Sequence, residues 1–355
     1  MSRTTERLLG QIMELSELKS VYAHEGPFVT VYLEGRSPGE DAAKQVRLRW
    51  RDLRERLEAR DAEGSALDAV EEALDEGRFG EEQTNGRVLV ATAGGVVLDE
   101  PWDAALGAGD AAFSGVLPEL GPHVREASEA VRVLLVIAGQ EDAELRRLVV
   151  AADHAPDETA REEVRGDAVE RPHHIREGAL AHRRIQRRAD EAVRQNAKEI
   201  SAAVDTAVAR FRPDVVVLAG EVQGRTAVRE QLPALHPLLE ETDRGGREDD
   251  RAEEALRDEV LRIAARFTDR AAEDQASRLY EADAKGLATR GDPQVMKAAE
   301  SGAVDTLLIE RGRSVAREAL LLKTGAQTGA GVAVVPRGTD LPDGIGAVLR
   351  FPPEG

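Results

Sequence analysis

The chain has 355 residues, 48 basic against 67 acidic, a formal net charge of −19, 41% hydrophobic residues and no cysteine. That length exceeds one ordinary core and predicts two or three domains. The missing cysteines exclude disulfides, thiolate nucleophiles and cysteine-ligated zinc, and so acidic a surface argues against indiscriminate nucleic-acid binding and against DNA as a partner. No stretch approaches the roughly 18 uncharged apolar residues of a membrane span. The opening MSRTTERLLGQIMELSELKS sets acids and arginines inside its apolar pattern, unlike a secretory signal. The expected location is the cytoplasm, with no membrane partner.

In chain order, an amphipathic stretch from Glu6 to Val21 leads into FVTVYLEG, Phe28 to Gly35. Its β-branched and aromatic residues and closing glycine predict a strand. Val46, Leu48, Trp50, Leu53 and Leu57 then recur at helical spacing, with Gly64 as a stop. A second helix is predicted over about Ser65 to Leu74. GRVLVATAGGVVLDEPW reads as two strands joined at a Gly-Gly turn. Trp50 and Trp102 are expected in the core.

EAVRVLLVIAG, Glu129 to Gly139, predicts an apolar strand, and ELRRLVVAAD its partner across the following turn. The polar stretch from His154 to Gly178 predicts one short strand near Glu163 to Glu170, with DHAPD before it as a turn. From about Arg183 a long helix is expected, because Ile185, Ala189, Val193, Ala197, Ile200, Val204, Val208 and Phe211 mark one face. Arg212, Pro213 and Asp214 end it.

DVVVLAGE, Asp214 to Glu221, has the composition of a fully buried strand, and GRTAVREQLP predicts a short helix closed by Pro233. EETDRGGREDDRAEE reads as a flexible surface loop at its glycines. A long helix from about Asp250 to Ala282 precedes alternating strand and helix patterns, so an α/β sandwich is expected here. GAQTGAG, Gly325 to Gly331, lacks the Lys-Ser/Thr of a phosphate-binding loop and is predicted to be a loop before the strand VAVVP.

One stretch departs from the acidic background. Residues 171 to 188, RPHHIREGALAHRRIQRR, hold six arginines and one glutamate, a local charge of +5, and three of the seven histidines. From Val131 to Arg212 there are 15 basic and 15 acidic residues, so the flanking segments carry the whole −19. A charge run is usually a solvated helix face. Here arginine also sits where a helix N-terminus opposes it, a cost most easily offset by a polyanion that takes bidentate contacts. His173 and His174 are adjacent and point apart on regular structure, so no metal pair is expected. No cofactor is expected either.

VMKAAESGAVDTLLIERG, Val295 to Gly312, resembles the third domain of archaeo-eukaryotic class-1 peptide-chain release factors. GPFVTVYLEG followed by VRLRWRDLRERL resembles the N-terminal domain of their bacterial relatives. The resemblance covers the whole chain, more strongly at the ends than in the middle, and is to the actinobacterial branch. That branch contains peptidyl-tRNA hydrolases of ribosome rescue and ribosome hibernation factors. The resemblance implies an α/β protein of three domains in release-factor order. These are an N-terminal α/β domain over 1–128, an RNase-H-like middle domain over 129–212 with a basic loop and long helix, and a C-terminal α/β sandwich over 213–355 like kink-turn-binding ribosomal proteins.

In release factors the middle-domain loop carries Gly-Gly-Gln; in the bacterial hydrolases it resembles Gly-Gly-Trp-Ser-Gln before an arginine-rich helix start. Laid on this chain, Gly178 matches the first glycine, Ala179 and Leu180 replace the second glycine and the tryptophan, and His182 stands in place of the glutamine. Arg184, Arg187, Arg188 and Asp190 fit the helix that follows. Ala179 resists backbone conformations that glycine allows. The resemblance therefore implies RNA contacts through Arg171, Arg176, Gly178, Arg183, Arg184, Arg187 and Arg188. His182 and Gln186 are the candidates for catalysis, His182 because imidazole can act as a base near neutral pH, and Gln186 only if the helix starts later than Arg183. Residues 1–130 hold no Asn-Ile-Lys-Ser, the motif with which codon-reading factors read stop codons.

The first expectation is a hibernation or protection factor that occupies the ribosomal A site and reaches the rRNA of the peptidyl-transferase centre, with an elongation-factor GTPase as carrier. The second is a peptidyl-tRNA hydrolase of ribosome rescue. The third is an RNA- or protein-binding scaffold off the ribosome.

Overall fold

A computed structural model describes residues 12–33, 42–75, 86–102, 109–151, 157–165, 179–244 and 250–352. They form an α/β architecture with three sheets, as predicted. By contact the chain divides into two units, Met1–Glu129 with Thr268–Gly355, and Ala130–Phe267.

In the first unit, β2 (Phe28–Leu33), β3 (Gly86–Thr92), β4 (Gly95–Trp102) and β5 (Ala111–Gly115) form an antiparallel sheet in the order β4-β3-β2-β5. Helices α1 (Ala42–Glu58) and α2 (Gly64–Asp75) cover one face, and α3 (Gly121–Glu129) follows β5. Val46, Trp50, Leu53 and Leu57 recur at helical spacing and so meet Val29, Val31 and Leu33, the alternate residues of β2. The other face packs Tyr32 on Trp102, ring centroids 4.6 Å apart. Both tryptophans are core residues, 3% and 2% exposed.

The second sheet of this unit has the order β1-β13-β12-β14-β11: β1 (Met13–Glu14), β13 (Gly331–Val335), β12 (Val304–Glu310), β14 (Ile345–Leu349) and β11 (Ala288–Arg290). One face packs on α7 (Asp292–Glu300) and α8 (Glu318–Thr328), the other around Leu279. Gly325 to Thr328 lie in α8 rather than in the expected loop, because Leu321, Leu322 and Ala326 give that stretch a buried helical face. The turn comes later, at Gly329, whose φ of 71° suits glycine.

The sheet also contains residues expected in the N-terminal domain. β1 pairs with β13, and Leu15, Leu18, Val21 and Tyr22 enter the C-terminal core. The chain segment before β2 therefore completes the sandwich at the far end of the sequence, Met13 pairing with Val332. Leu15 is fully buried. Leu15→Val removes one methylene and is expected to cost about 1 kcal/mol. Hydrogen exchange should show the loss at the β13 amides, roughly fivefold faster, with β2 and β3 protected as before.

The second unit holds the order β10-β9-β6-β7-β8. β6 (Val131–Ala138) pairs antiparallel with β7 (Asp142–Val150), which pairs antiparallel with β8 (Asp157–Arg165). On its other side β6 is parallel to β9 (Val215–Gly220), which is parallel to β10 (Leu239–Glu241). The boundary expected after Arg212 thus falls inside this sheet. β9 is apolar on both faces, so it requires covered faces and neighbours on both edges. β6 supplies one edge, and a helix stop at Pro213 carries no information about that pairing. The third strand begins at Asp157, earlier than the Glu163 expected, and 166–170 of the expected strand lie outside the described residues. Helices α4 (Ala179–Phe211) and α5 (Val222–Gln231) cover one face, and the leading part of α6 (Asp250–Asp283) the other. Of the acidic run, Glu240 and Glu241 are in β10 and Asp250 opens α6, where the long helix was expected to begin, while Gly245 and Gly246, where the loop was expected, lie outside the described residues.

On the α6 side, one charged group interrupts the apolar face. Arg146 and Glu144, two apart on β7 and so on one face, each have a side chain 7% exposed. The Arg146 Nε donates to Glu144 at 2.7 Å, and both terminal nitrogens donate to Glu253 of α6. Arg161 of β8 approaches the same Glu144 oxygen at 3.2 Å. Burial pulls the Arg146 guanidinium down, but its bonds to Glu253 and Glu144 outweigh this and hold it above its ordinary range.

Candidate functional site

The basic stretch divides at the start of α4. Arg171, Arg176 and Gly178 lie outside the described residues, as do His173, His174 and DHAPD through Pro156. His182, Arg183, Arg184, Gln186, Arg187 and Arg188 all fall in the first three turns of α4, which begins at Ala179 rather than near Arg183. At about 100° per residue, Arg183 with Arg187 and Arg184 with Arg188 mark two adjoining strips of the helix, and His182 with Gln186 a third. Gln186 is thus well inside the helix, and the later start under which it could replace the family's glutamine is not met.

An earlier helix start changes the local chemistry. The first turn of α4 contains no acidic residue. Its free amides and helix dipole already present positive charge, and the arginines of the following turns add to it. Such an end favours an anion, and several arginines along two strips suit a repeating one, as in a nucleic-acid backbone.

What holds the helix is further along. Among the α4 side chains described, from Glu191 onward, Asn196 is the first buried one. Ala197, Ile200, Val204 and Ala207 then continue into the core against Leu134, Val136 and Leu145. The Asn196 Nδ2 donates to the backbone oxygen of Gln140, in the turn after β6, at 3.2 Å. The Gln140 Nε2 donates to Glu221, at the head of α5, at 2.8 Å. Gly224 lets α5 approach this turn: a Cβ there would lie 2.2 Å from the Gly139 oxygen. From Ala179 to Asn196 the helix spans about 25 Å. Asn196 and its partners were not legible as a site; the one signal was a polar residue four before Ile200 on an otherwise apolar seam.

Among the described residues, no group of three His, Asp or Glu could hold a metal ion. Among them also, no helix is long and apolar enough to cross a membrane.

Residues 132–285 match the family model of bacterial archaeo-eukaryotic release factor family 2. The match falls on the middle of the chain, where the quoted loop motif departs most from the family's pattern, and it runs from β6 to just past α6. It agrees with the resemblance to bacterial relatives of archaeo-eukaryotic release factors seen in the sequence. The chain is 28% identical over 314 residues to the uncharacterized protein Rv2629 of Mycobacterium tuberculosis strain H37Rv, covering 84% of this chain and 78% of that one. The crystal structure of an archaeal translation termination factor, aRF1, is 20% identical, covering 95% of this chain and 96% of that one with a TM-score of 0.25. Archaeal Pelota, from a model of ribosome-bound Pelota and ABCE1, is 12% identical, covering 96% and 95% with a TM-score of 0.43.

Proposed function

We propose that this protein binds the ribosome in the manner of a release factor, and that it acts by occupancy. It sits in the A site, directs residues 171–188 at the rRNA of the peptidyl-transferase centre, and reads no stop codon. Its role is that of a hibernation or protection factor in the cytoplasm. The release-factor resemblance adds an elongation-factor GTPase as carrier. The observation that carries this reading is the +5 stretch at the head of an anchored helix, within the segment that matches release factor family 2. The rest of the chain is too acidic to bind RNA without such an island.

Occupancy is favoured over catalysis because His182 stands in place of the family's glutamine. Hydrolysis of peptidyl-tRNA needs a water held in line and donors for the oxyanion, the work that the resemblance gives to that glutamine. A hydrolase is the second reading, because His182 stands in place of the family's glutamine and imidazole can act as a base near neutral pH.

Co-sedimentation with vacant 70S ribosomes and with ribosomes carrying peptidyl-tRNA, assaying peptide release in the same tubes, separates the readings. The expected result is salt-sensitive binding to vacant ribosomes and no release above background. Release that is lost in His182→Ala would make the protein a hydrolase. Absence of binding to either sample would leave the off-ribosome scaffold.

A further inference from the structure

The seam by which α4 packs is apolar at Ala197, Ile200, Val204 and Ala207 and buries two polar side chains: Ser201 bonds back to the Ala197 oxygen of its own helix, whereas Asn196 reaches another element. Asn196 is 1% exposed. An amide in that position costs free energy unless it is paired, and an aliphatic side chain would fill the same volume. What the amide adds is direction. Apolar contacts are non-directional and tolerate small rotations and slips of a helix; a buried hydrogen bond does not. The Asn196 bond to the Gln140 backbone and the Gln140 bond to Glu221 tie α4, the turn after β6 and the head of α5 together at one point.

Among the described side chains, that point is the last enclosed one toward the basic turns. Going back from it along α4, Gln195 and Arg194 are exposed, Val193 and Ala192 half-buried, and Glu191 exposed. From Asn196 to Ala179 the helix runs about 25 Å. A tilt of about 10° at Asn196 moves the first turn by about 4 Å, against the roughly 0.5 Å within which polar contacts must be held. We infer that Asn196 is a positioning residue: it fixes the direction and rotation of α4, so that the arginine strips meet the phosphate backbone in one register. This rests on the RNA-contact reading proposed above, but its mechanical part is separable from it.

The chain has no cysteine, so two introduced ones report a single distance. Spin labels at Ala181→Cys on α4 and Glu230→Cys on α5 can be read by pulsed electron resonance, with Asn196 intact, with Asn196→Leu, and with Ile200→Val. The last loosens the same seam without touching the amide. A narrow distribution is expected for the parent and for Ile200→Val, and one at least twofold broader for Asn196→Leu. Affinity for vacant 70S ribosomes should fall at least tenfold in Asn196→Leu and stay within threefold in Ile200→Val. Should Asn196→Leu fail to fold, Asn196→Ala supplies the same comparison. Equal widths in the parent and the Asn196 variant would overturn the inference. If the parent itself does not sediment with ribosomes while Asn196→Leu still broadens the distance, the ribosomal reading falls and the positioning of the helix stands.

Discussion

Changing Arg184, Arg187 and Arg188 together to glutamate is expected to abolish sedimentation with 70S ribosomes, while His182→Ala leaves it intact. The three arginines fall within two turns of α4, so one variant removes a compact set of phosphate contacts and puts repulsion in its place. A hydrogen bond to a charged group contributes roughly 1.5–3 kcal/mol. Losing three amounts to about three orders of magnitude in affinity, or more. Each single arginine-to-alanine variant should lower the slope of log K against log salt by roughly 0.7 to 0.9. Helix melting is a poor alternative explanation for the triple variant, because glutamate and arginine have nearly equal helix propensities. Circular dichroism should therefore show unchanged helicity. A triple variant that binds as well as the parent would remove the basic turns from the interface and overturn the proposed mode of binding.

Arg146→Met is expected to destabilise the middle unit by about 3–5 kcal/mol, the usual cost of breaking a buried ion pair from one side. Glu144 would keep only Arg161, whose side chain is 51% exposed, as a cation. The unit from Ala130 to Phe267 contains no tryptophan or tyrosine, so hydrogen exchange at the β6 and β7 amides is the suitable readout. Acceleration by roughly two to four orders of magnitude is expected there, and little change in β2 or β3. Pairing it with Glu144→Leu should recover most of the loss, since Glu253, with a 37% exposed side chain, remains in contact with water. The pH dependence follows from the same contacts. The hydrogen bond from Arg146 holds the Glu253 carboxyl below the ordinary glutamate range, against the opposing effect of its burial. Its contribution is complete above about pH 4.3, the unfolded value, and is lost as the pH falls through the depressed one. In Arg146→Met the acid-induced loss over that interval should shrink. An unchanged acid profile would mean that Glu253 contributes nothing through Arg146.

The sequence by itself determined the local elements. Helical spacing of Val46, Trp50, Leu53 and Leu57 defined α1, the Gly-Gly turn defined the β3–β4 hairpin, and the sign contrast of residues 171–188 defined the candidate site. Each of these signals is carried within a few residues, by side-chain periodicity or turn chemistry, so no partner from elsewhere in the chain is needed to read it. Their bounds were less certain: α4 begins about one turn before the expected start at Arg183, because a helix continues for as long as its own backbone bonds are satisfied. What only the tertiary structure decided was pairing across long separations. β9 joins β6 across the whole of β7, β8 and α4, and β1 joins β13 from the opposite end of the chain. A strand's own residues state that it must be covered, not by which neighbour, and the choice follows from which open edge and which apolar face the rest of the chain leaves free. Asn196 is of the same kind, since a polar residue on an apolar seam acquires meaning only when the fold brings the Gln140 carbonyl to it.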